Sequence, residues 1–316
     1  MTVVVTGATG HLGGAVLRRL RAEGTPAVGL GRDPAKLEAL REEGFTVQPC
    51  DLSAGLPETL EGSAIIHAAA LSAPFGPWSA FERANIAATR AVIAWAEART
   101  ARLFHISSPS VHFAFCDDLG RREDTPLPGR FANHYARSKA EAERLVQASR
   151  APGLILRPRG IYGPNDTSLL PRLLRAARRG PLPRFRGGRA AIDLTYIDDA
   201  VDAVLAALRA ERSDQAIINV SGGEVLPVRE IAEAACARAG VPVRWRNIPF
   251  GMLMLAARAM ETGAALLPGQ PEPPATRYSL GLFAYQQSLN LDRARDFLGW
   301  TPSVRFEEGL ARSFAP

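Results

Sequence analysis

The fold is decided by the stretch Val3-Val4-Val5-Thr6-Gly7-Ala8-Thr9-Gly10-His11-Leu12-Gly13-Gly14. Its apolar start predicts a buried parallel strand, and Val16, Leu17 and Leu20 predict the buried stripe of a helix that follows. A strand that turns through glycines into a helix presents backbone N–H groups and the positive end of the helix dipole to a phosphate. The spacing is GxxGxxG rather than GxGxxG, but its place between strand and helix makes it specific. The sequence therefore predicts a dinucleotide-binding turn.

The second predicted strand indicates which dinucleotide binds. It covers Ala27 to Leu30 and leads into Gly31, Arg32 and Asp33. An NAD site would place a carboxylate at this strand end for the ribose hydroxyls, whereas a guanidinium suits the 2′-phosphate of NADP. Asp33 is typical of a helix N-cap. We expect NADP(H) in preference to NAD(H), the alternative being that Arg32 is an ordinary solvated loop residue.

Composition narrows the class of protein. The 316 residues, 47% hydrophobic, suffice for one large α/β domain or two joined ones. The net charge of +6 is concentrated in an arginine cluster from Arg172 to Arg189, which is either a solvated face or a site for an anionic substrate. No nucleic-acid motif accompanies it, so no nucleic-acid partner is expected.

Cellular location and metal content are also constrained. The three cysteines are widely spaced and suggest neither a disulfide framework nor a metal site. The chain starts directly with a strand, without a signal-peptide pattern. The apolar segment Met252 to Leu267 contains Arg258 and Glu261, so it is too short and too charged to span a bilayer. We expect a cytoplasmic protein without a bound metal.

Two polar groups share one face of a later helix. Tyr135 and Lys139 are four residues apart, which places a phenol and an ammonium one helical turn from each other. This arrangement favours a proton donor whose pKa is lowered by a neighbouring cation, although the same spacing occurs on ordinary solvated helices. A fifth strand, Arg102 to Ile106, ends at Ser107-Ser108-Pro109-Ser110-Val111, and ligands bind at the carboxyl ends of parallel strands.

Motifs in a fixed order make the chain resemble the extended short-chain dehydrogenase/reductases over essentially its whole length. They are the glycine turn, Asp51-Leu52, Asn85 with Thr89, the serine segment, Tyr135-x-x-x-Lys139, Arg157-Pro158, Tyr162-Gly163-Pro164, Tyr196-Ile197-Asp198-Asp199-Ala200, Asn219-Val220-Ser221-Gly222-Gly223-Glu224 and Leu298-Gly299-Trp300-Thr301-Pro302. One departure is His112, where the family often has tyrosine.

The resemblance implies a fold and a domain layout. The expected fold class is α/β, a Rossmann-type doubly wound parallel sheet with a smaller C-terminal substrate-binding domain. Residues 1–160 with about 194–221 are expected to form the dinucleotide-binding domain. Residues of about 161–193 and 222–316 are expected to form the substrate-binding domain. The resemblance further implies a homodimer through the helices that follow Ser79 and Asn133.

The resemblance also assigns roles to residues. Tyr135 would be the general acid in reduction and the general base in oxidation, Lys139 would lower its pKa, and Ser108 would bind the substrate oxygen, with Ser107 and Ser110 as alternatives. Asn85 would support the site. The expected cofactor-binding residues are Gly7, Thr9, Gly10, His11, Leu12, Gly13, Arg32, Asp51, Leu52, Ala68, Ala69, Ala70, Tyr135, Lys139 and Pro158.

Within the family, the chain looks most like the 3β-hydroxysteroid dehydrogenase-like branch, which includes 2-alkyl-3-oxoalkanoate reductases. The features are Phe75-Gly76-Pro77-Trp78, Leu194 to Asp199 and Glu272 to Tyr278. The expected substrate-binding residues are Phe75, Trp78, Ser108, Phe113, Arg159 and Tyr162. Phe115, Met252, Met254 and Phe283 are further candidates for an apolar pocket or for plain core. The segment Met252 to Leu267 is read as a helix over the pocket mouth or as core packing.

The sequence thus favours an NADP(H)-dependent oxidoreductase that interconverts a ketone and a secondary alcohol on a largely apolar small molecule, such as a 3-oxo acid or a hydroxysteroid. Two alternatives stay open. One is a nucleotide-sugar 4-epimerase or dehydratase of the same family. The other is a non-catalytic NADP-sensing regulator, although such proteins tend to lose the tyrosine and lysine that this chain keeps.

Overall fold

The computed structural model describes residues 1–315. Its strands are β1 (Val3–Thr6), β2 (Ala27–Gly31), β3 (Val47–Pro49), β4 (Ala64–His67), β5 (Arg102–Ile106), β6 (Asp118–Arg121), β7 (Gly153–Pro158), β8 (Ile161–Tyr162), β9 (Leu182–Arg184), β10 (Ala191–Asp193), β11 (Thr195–Tyr196), β12 (Asp214–Val220), β13 (Val225–Pro227), β14 (Trp245–Asn247) and β15 (Gln287–Leu289). Its α-helices are α1 (His11–Ala22), α2 (Pro34–Glu42), α3 (Trp78–Phe81), α4 (Ala88–Ala98), α5 (His134–Gln147), α6 (Leu169–Arg179), α7 (Ile197–Arg209), α8 (Val228–Arg238), α9 (Phe250–Ala265), α10 (Arg277–Leu282), α11 (Asp292–Leu298) and α12 (Phe306–Ser313).

The main sheet has seven parallel strands in the order β12-β7-β5-β4-β1-β2-β3. The strand order reverses between β1 and β4, and β1 pairs with β2 on one side and β4 on the other. In such a sheet the crevice outside the carboxyl ends at the reversal is the ligand-binding position. The predicted α/β Rossmann-type fold is confirmed.

Both faces of this sheet are covered. Val3 and Val5 point into one apolar core, while Val4 between them points into a second core on the other face. The first core contains the predicted α1 stripe of Val16 and Leu17. Alternate residues facing two cores explain why β1 reads as an unbroken apolar run rather than as an alternating one.

A smaller four-stranded sheet, in the order β13-β10-β15-β6, lies beside the main one. Its strand β6 comes from residues 118–121, a segment within the range 1–160 that was expected to form the dinucleotide-binding domain. The sequence Asp118-Leu-Gly-Arg121 has no apolar run, and its pairing partner, β15, lies more than 160 residues further along the chain. No local signal therefore reveals it.

The carboxyl-terminal region packs against the main sheet. Ala294, Trp300, Phe306 and Leu310 are buried in the same core as α1 and α7. The division into a dinucleotide-binding and a substrate-binding domain stays a prediction.

The helix expected after Ser79 is interrupted. Between α3 and α4, residues Glu82–Ala87 form a π-helix, which contains Asn85. A π-turn shifts the register of the side chains that follow it, and such turns are frequent at functional sites. The Thr89 hydroxyl donates to Asn85 O at 2.6 Å, so the altered backbone keeps a hydrogen-bond partner there.

Candidate functional site

The glycine turn after β1 is built for close approach. Gly7 has φ +69°, and a Cβ added there would lie 2.8 Å from Ala69 N, while a Cβ on Gly13 would overlap Gly7 O. Helix α1 begins at His11 with Gly10 at its N-cap, and no side chain caps it. Its first-turn N–H groups therefore remain available to an anion. Leu12 is buried in the core, so only its backbone faces this position. The turn fits a dinucleotide pyrophosphate.

The next strand ends carry the polar groups expected near the adenosine half. Position 31 has no room for a side chain, because a Cβ there would lie only 2.8 Å from Thr9 Cγ2. Arg32 follows and is exposed. Hydrogen bonds from Ser53 hold the pKa of Asp51 below its usual value, and the guanidiniums of Arg32 and Arg83 lower it further. Leu52 beside it is buried. Arg83 was not predicted, because it lies on the distant π-turn.

The end of β4 is fixed by a buried hydrogen-bond chain. Ala69 N–H donates to Thr6 Oγ1 at 3.2 Å, and Thr6 Oγ1 lies 2.8 Å from His67 Nδ1. His67 Nε2 lies 3.1 Å from the Thr89 hydroxyl. Burial, helped by the charge of Lys139, lowers the pKa of His67 to about 3, so this ring is neutral. His67 is thus a packed residue at the end of a strand. Ala68 and Ala69 beyond it are half-buried, and Ala70 is exposed.

Lys139 lies buried beneath the crevice. Its Nζ donates to Ile106 O at 2.6 Å, at the end of β5. Burial lowers the pKa of Lys139 to about 8, and the Glu143 carboxylate one helical turn further along acts against that change. The ammonium is therefore held in place by a strand end and costs free energy to keep charged.

The Tyr135 phenol hydrogen-bonds with two serine hydroxyls. Burial raises the pKa of this phenol, while hydrogen bonding with Ser108 and Ser72 acts against the rise. The expectation that Lys139 would lower this pKa is thus not met, because desolvation outweighs every favourable neighbour. The phenol is protonated at neutral pH, which is the form that a proton donor needs. Ser72, on the loop after β4, was not predicted.

The three serines considered for binding the substrate oxygen differ in their exposure and in their neighbours. Ser108 is half-buried at the end of β5 and interacts with Tyr135, and its Oγ accepts from Ser110 N at 3.2 Å. Ser107 and Ser110 are both buried. The choice of Ser108 is supported, because it alone of the three faces the Tyr135 phenol.

Asn85 ties the loop after β4 to the helix that carries Tyr135. Its Oδ1 accepts from Leu71 N at 2.7 Å, and its Nδ2 donates to Leu71 O and to Ser138 Oγ at 3.1 and 2.8 Å. The Ser138 hydroxyl in turn donates to Tyr135 O at 2.9 Å. Asn85 therefore holds the elements that bear Ser72 and Tyr135 together, which agrees with the supporting role expected of it.

A buried ion pair lies behind the site. Arg157 donates to both carboxylate oxygens of Glu143 at 2.8 and 2.6 Å, and its Nη1 lies 2.8 Å from His112 Nε2. Burial, with the charge of Arg157, lowers the pKa of His112 to about 3, so the neutral ring accepts a hydrogen bond from the guanidinium. The Arg-Pro motif thus fixes the end of β7, and with it Pro158 at the crevice.

A second phenol faces Tyr135 from the smaller domain. Tyr278, on α10, packs edge-on against Phe113 with ring centroids 5.6 Å apart. Burial and the nearby Tyr135 raise the pKa of the Tyr278 phenol, and the Ser110 hydroxyl and Arg159 act against that rise. Phe113 and Phe115 complete the aromatic wall, with ring centroids 4.9 Å apart. Tyr278 was not among the predicted site residues, because 143 residues separate it from Tyr135.

Several predicted substrate contacts lie elsewhere. Tyr162 is fully buried against Tyr196 and Phe306, and its hydroxyl donates to Phe306 O at 3.3 Å, so it is a core residue. Trp78 packs against His134 and the Arg137 guanidinium, on a face of α5 remote from Tyr135. Phe75, on the same loop, is half-buried.

Arg159 is only partly free for a ligand. Its Nε forms a 2.9 Å ion pair with Asp193, and its Nη1 donates to Gln287 at 3.1 Å. The guanidinium nonetheless lines a small cavity next to Phe113 and His112. The arginine cluster is partly engaged as well, because Arg172 pairs with Glu272, and Arg186 pairs with Asp117.

The segment from Met252 to Leu267 fits neither of its two predicted roles fully. One face of α9, which includes Met254, packs on a satellite core around Phe185. Phe283, further along the chain, packs on the same core. Met252, in contrast, is 68% exposed and lines no pocket. Across residues 1–315, no helix has the length and apolar character needed to cross a membrane.

Comparison with known proteins identifies the family. A model of the NAD dependent epimerase/dehydratase family matches residues 3–221. The chain belongs to this family. As an extended short-chain dehydrogenase/reductase, it is an NAD(P)-dependent enzyme of the dehydrogenase and reductase type acting on CH–OH groups.

Relatives support this assignment along the whole chain, and a solved structure shows the same fold. The uncharacterized protein YbjS of Escherichia coli (strain K12) is 33% identical over 100% of this chain and 97% of its own length. The 2-alkyl-3-oxoalkanoate reductase of Shewanella oneidensis is 32% identical over 98% of this chain and 84% of its own length. Further relatives are named 3beta-hydroxysteroid-dehydrogenase/decarboxylase. The UDP-glucuronic acid 4-epimerase of Bacillus cereus, solved with NAD, has a TM-score of 0.73 at 20% identity, covering 99% of this chain and 97% of its own, which shows the fold.

Proposed function

We propose that this enzyme is an NADP(H)-dependent oxidoreductase that interconverts a ketone and a secondary alcohol on a largely apolar substrate of the 3-oxo acid or hydroxysteroid kind. The observation that carries the proposal is the convergence of the Tyr135 phenol and the Ser108 hydroxyl above the buried Lys139. A phenol and a hydroxyl at one position are suited to a single oxygen atom that changes between carbonyl and alcohol.

Each of these side chains has a defined task. A bound nicotinamide supplies or accepts the hydride. Tyr135 is protonated at neutral pH because burial raises its pKa, so in reduction it donates a proton to the substrate oxygen. Ser108 donates a hydrogen bond to the same oxygen and stabilises the negative charge that develops there. The Lys139 ammonium favours the tyrosinate that remains after the transfer.

The preference for NADP(H) is supported by two guanidiniums at the adenosine end. Arg32 and Arg83 both lower the pKa of Asp51, so each lies near this carboxylate although they come from the end of β2 and from the π-turn. Both are exposed and neither forms an ion pair with a carboxylate in residues 1–315. Two arginines that share one acidic neighbour are suited to the 2′-phosphate.

An apolar substrate is supported by the wall opposite Tyr135. This wall consists of the aromatic rings of Phe113, Phe115 and Tyr278. The polar group that these three side chains carry is the Tyr278 hydroxyl. The name of the Shewanella relative describes a substrate of this chemistry. A nucleotide-sugar epimerase would need free cations for a diphosphate, whereas Arg172 and Arg186 are held by Glu272 and Asp117. The retained Tyr135 and Lys139 favour an enzyme over a non-catalytic regulator.

The test is spectrophotometric. NADPH and NADH consumption is followed with a 2-alkyl-3-oxo acid, a ketosteroid and a simple ketone, and nucleotide sugars are assayed in parallel. The expected result is NADPH-dependent reduction that Tyr135→Phe abolishes while NADPH binding, measured by fluorescence, is retained. Tyr162→Phe removes a buried hydroxyl that bonds to Phe306 O in the core and should keep the activity. Turnover of a nucleotide sugar without net cofactor change, or full activity of Tyr135→Phe, would refute the proposal.

We further propose that the enzyme works in the cytoplasm as a homodimer through α4 and α5. These two helices lie side by side on the same face of the main sheet, so each could pair with its counterpart in a second copy. Light scattering should then give twice the 33.9 kDa of one chain, and a monomer at micromolar concentration would contradict the dimer.

A further inference from the structure

Helix α9 is apolar on the side that faces solvent. Met252 and Leu255 are 68% and 69% exposed, and Leu266 and Leu267 just beyond the helix are 83% and 54% exposed. Met252, Leu255 and Leu266 are spaced by three and eleven residues, which places them along one helical face. The four side chains are called the α9 apolar face below. Single exposed leucines are ordinary, but a row of this kind indicates an interaction surface.

This face is not needed for the fold, because α9 already buries its opposite side. Ala257 is fully buried, and Leu253 and Met254 pack with it on the satellite core that contains Phe185 and Leu280. A helix that is apolar both toward its own core and toward water is expected to bury its outer face against a second partner.

The surroundings of the α9 apolar face are positively charged. Four exposed arginines that form no ion pair within residues 1–315 lie on α9 or on the strands joined to it, namely Arg184, Arg244, Arg246 and Arg258. From residue 239 to residue 276 the only acidic residues are Glu261 and Glu272. Both are engaged, since Glu261 pairs with Arg277 at 2.6 Å and Glu272 pairs with Arg172 at 3.0 Å. No acidic side chain within residues 239–276 is therefore left to offset these guanidiniums.

This charge decides between the two kinds of occupant that an apolar helix face can have. A second copy of the chain would bring two sets of unpaired arginines together, and like charges at short distance oppose association. The surface of an anionic bilayer offers negative headgroups to the arginines and an apolar interior to the leucines and the methionine. We propose that α9 docks this protein peripherally on an anionic phospholipid surface, lying in the plane of the interface.

The dimensions fit this mode. Sixteen residues of α-helix are about 24 Å long, which suits a helix lying along a membrane surface. The buried side of α9 contacts α10, which carries Tyr278, so docking would turn the aromatic side of the site toward the bilayer. The proposal does not depend on the reaction that the site catalyses.

The experiment is vesicle co-sedimentation of the full-length protein. The vesicles contain either phosphatidylcholine alone or phosphatidylcholine with phosphatidylglycerol at seven to three. Binding is expected to the anionic vesicles at low ionic strength, and it should weaken as salt screens the arginines. Leu255→Ser should lower the partition coefficient about tenfold. The matched control is Leu119→Ser, which changes a leucine that is 55% exposed on β6.

A second pair of variants tests the charge. Arg246→Gln should weaken binding to anionic vesicles, whereas Arg130→Gln, at an exposed loop position, should leave it unchanged. Thermal unfolding checks that every variant folds. Absence of binding to anionic vesicles overturns the proposal, as does equal binding by wild type and Leu255→Ser. A fall in assembly size on Leu255→Ser in vesicle-free solution would instead assign the face to a second copy of the chain.

Discussion

Replacing Lys139 by methionine should make the protein more stable and inactive. Lys36 and Lys139 are the only lysines among 38 basic residues, and Lys139 is 3% exposed. Its pKa falls from 10.5 to about 8 on folding because burial penalises the ammonium. Methionine has a similar length and no charge to desolvate, so it removes that penalty.

The magnitude follows from proton linkage. A pKa that falls from 10.5 to about 8 corresponds to a cost of about 3 kcal/mol when the amine is charged in both states. The methionine variant also loses the hydrogen bond to Ile106 O, which reduces its gain in stability by about 1 kcal/mol. Lys139→Met should therefore raise the free energy of unfolding at pH 7 by about 2 kcal/mol.

The sign of the pH dependence is also fixed. Between pH 8 and pH 10.5 the unfolded chain holds the Lys139 proton more tightly than the folded chain, so this residue makes wild-type stability rise with pH in that window. Below pH 8 the penalty is constant. At pH 10 it has fallen below about 1 kcal/mol, so the advantage of the methionine variant should almost disappear there.

Urea unfolding followed by tryptophan fluorescence at pH 7 and pH 10 measures the difference. Lys36→Met is the control, because Lys36 is exposed and its replacement should change stability little at either pH. With two lysines in the chain, a ¹⁵N-lysine spectrum reports the Lys139 pKa directly. A Lys139→Met variant that is less stable than wild type at pH 7, or a difference that does not shrink toward pH 10, would refute the reasoning.

Three further perturbations test other parts of the site. Gly13→Ala should abolish NADPH binding measured by fluorescence, because its Cβ would overlap Gly7 O and displace the turn; unaltered affinity would contradict the assigned phosphate position. Arg32→Ala and Arg83→Ala should each raise the KM for NADPH about tenfold and change that for NADH little, and an equal loss with both cofactors would argue against a 2′-phosphate site. Tyr278→Phe should raise the KM of the ketone substrate more than it lowers kcat, since the phenol faces the site without being the proton donor; a loss of kcat as large as that of Tyr135→Phe would reassign the role.

The parts of the site that the sequence predicts are local. The turn from Gly7 to Gly13 is one contiguous segment in which strand, glycines and helix can be read together, and Tyr135 with Lys139 depends only on helical spacing. Ser108 is positioned by the strand that precedes it. In each case the chemistry and the geometry come from the same few residues.

The missed residues depend on distant pairing. Tyr278 comes near Tyr135 because α10 packs against Phe113, and Arg83, on the π-turn, comes near Asp51 although 32 residues separate them. Neither contact leaves a periodic pattern in the sequence. Tyr162 is the opposite case, a predicted substrate contact that lies in the core. An aromatic residue in this position of the sequence can line a pocket or fill a core, and its packing on Phe306 shows that it fills the core.

The pKa of Tyr135 is raised rather than lowered because burial outweighs its favourable neighbours, and the groups around Lys139 do not neutralise its charge. His67 and His105 lie beside Lys139, and burial together with its charge keeps the pKa of both rings well below the usual value. The carboxylate of Glu143 is shared with Arg157, which leaves Lys139 with its positive charge only partly balanced. Because the pKa of Lys139 is about 8, this charge is already present at neutral pH and is available to stabilise the tyrosinate when Tyr135 releases its proton.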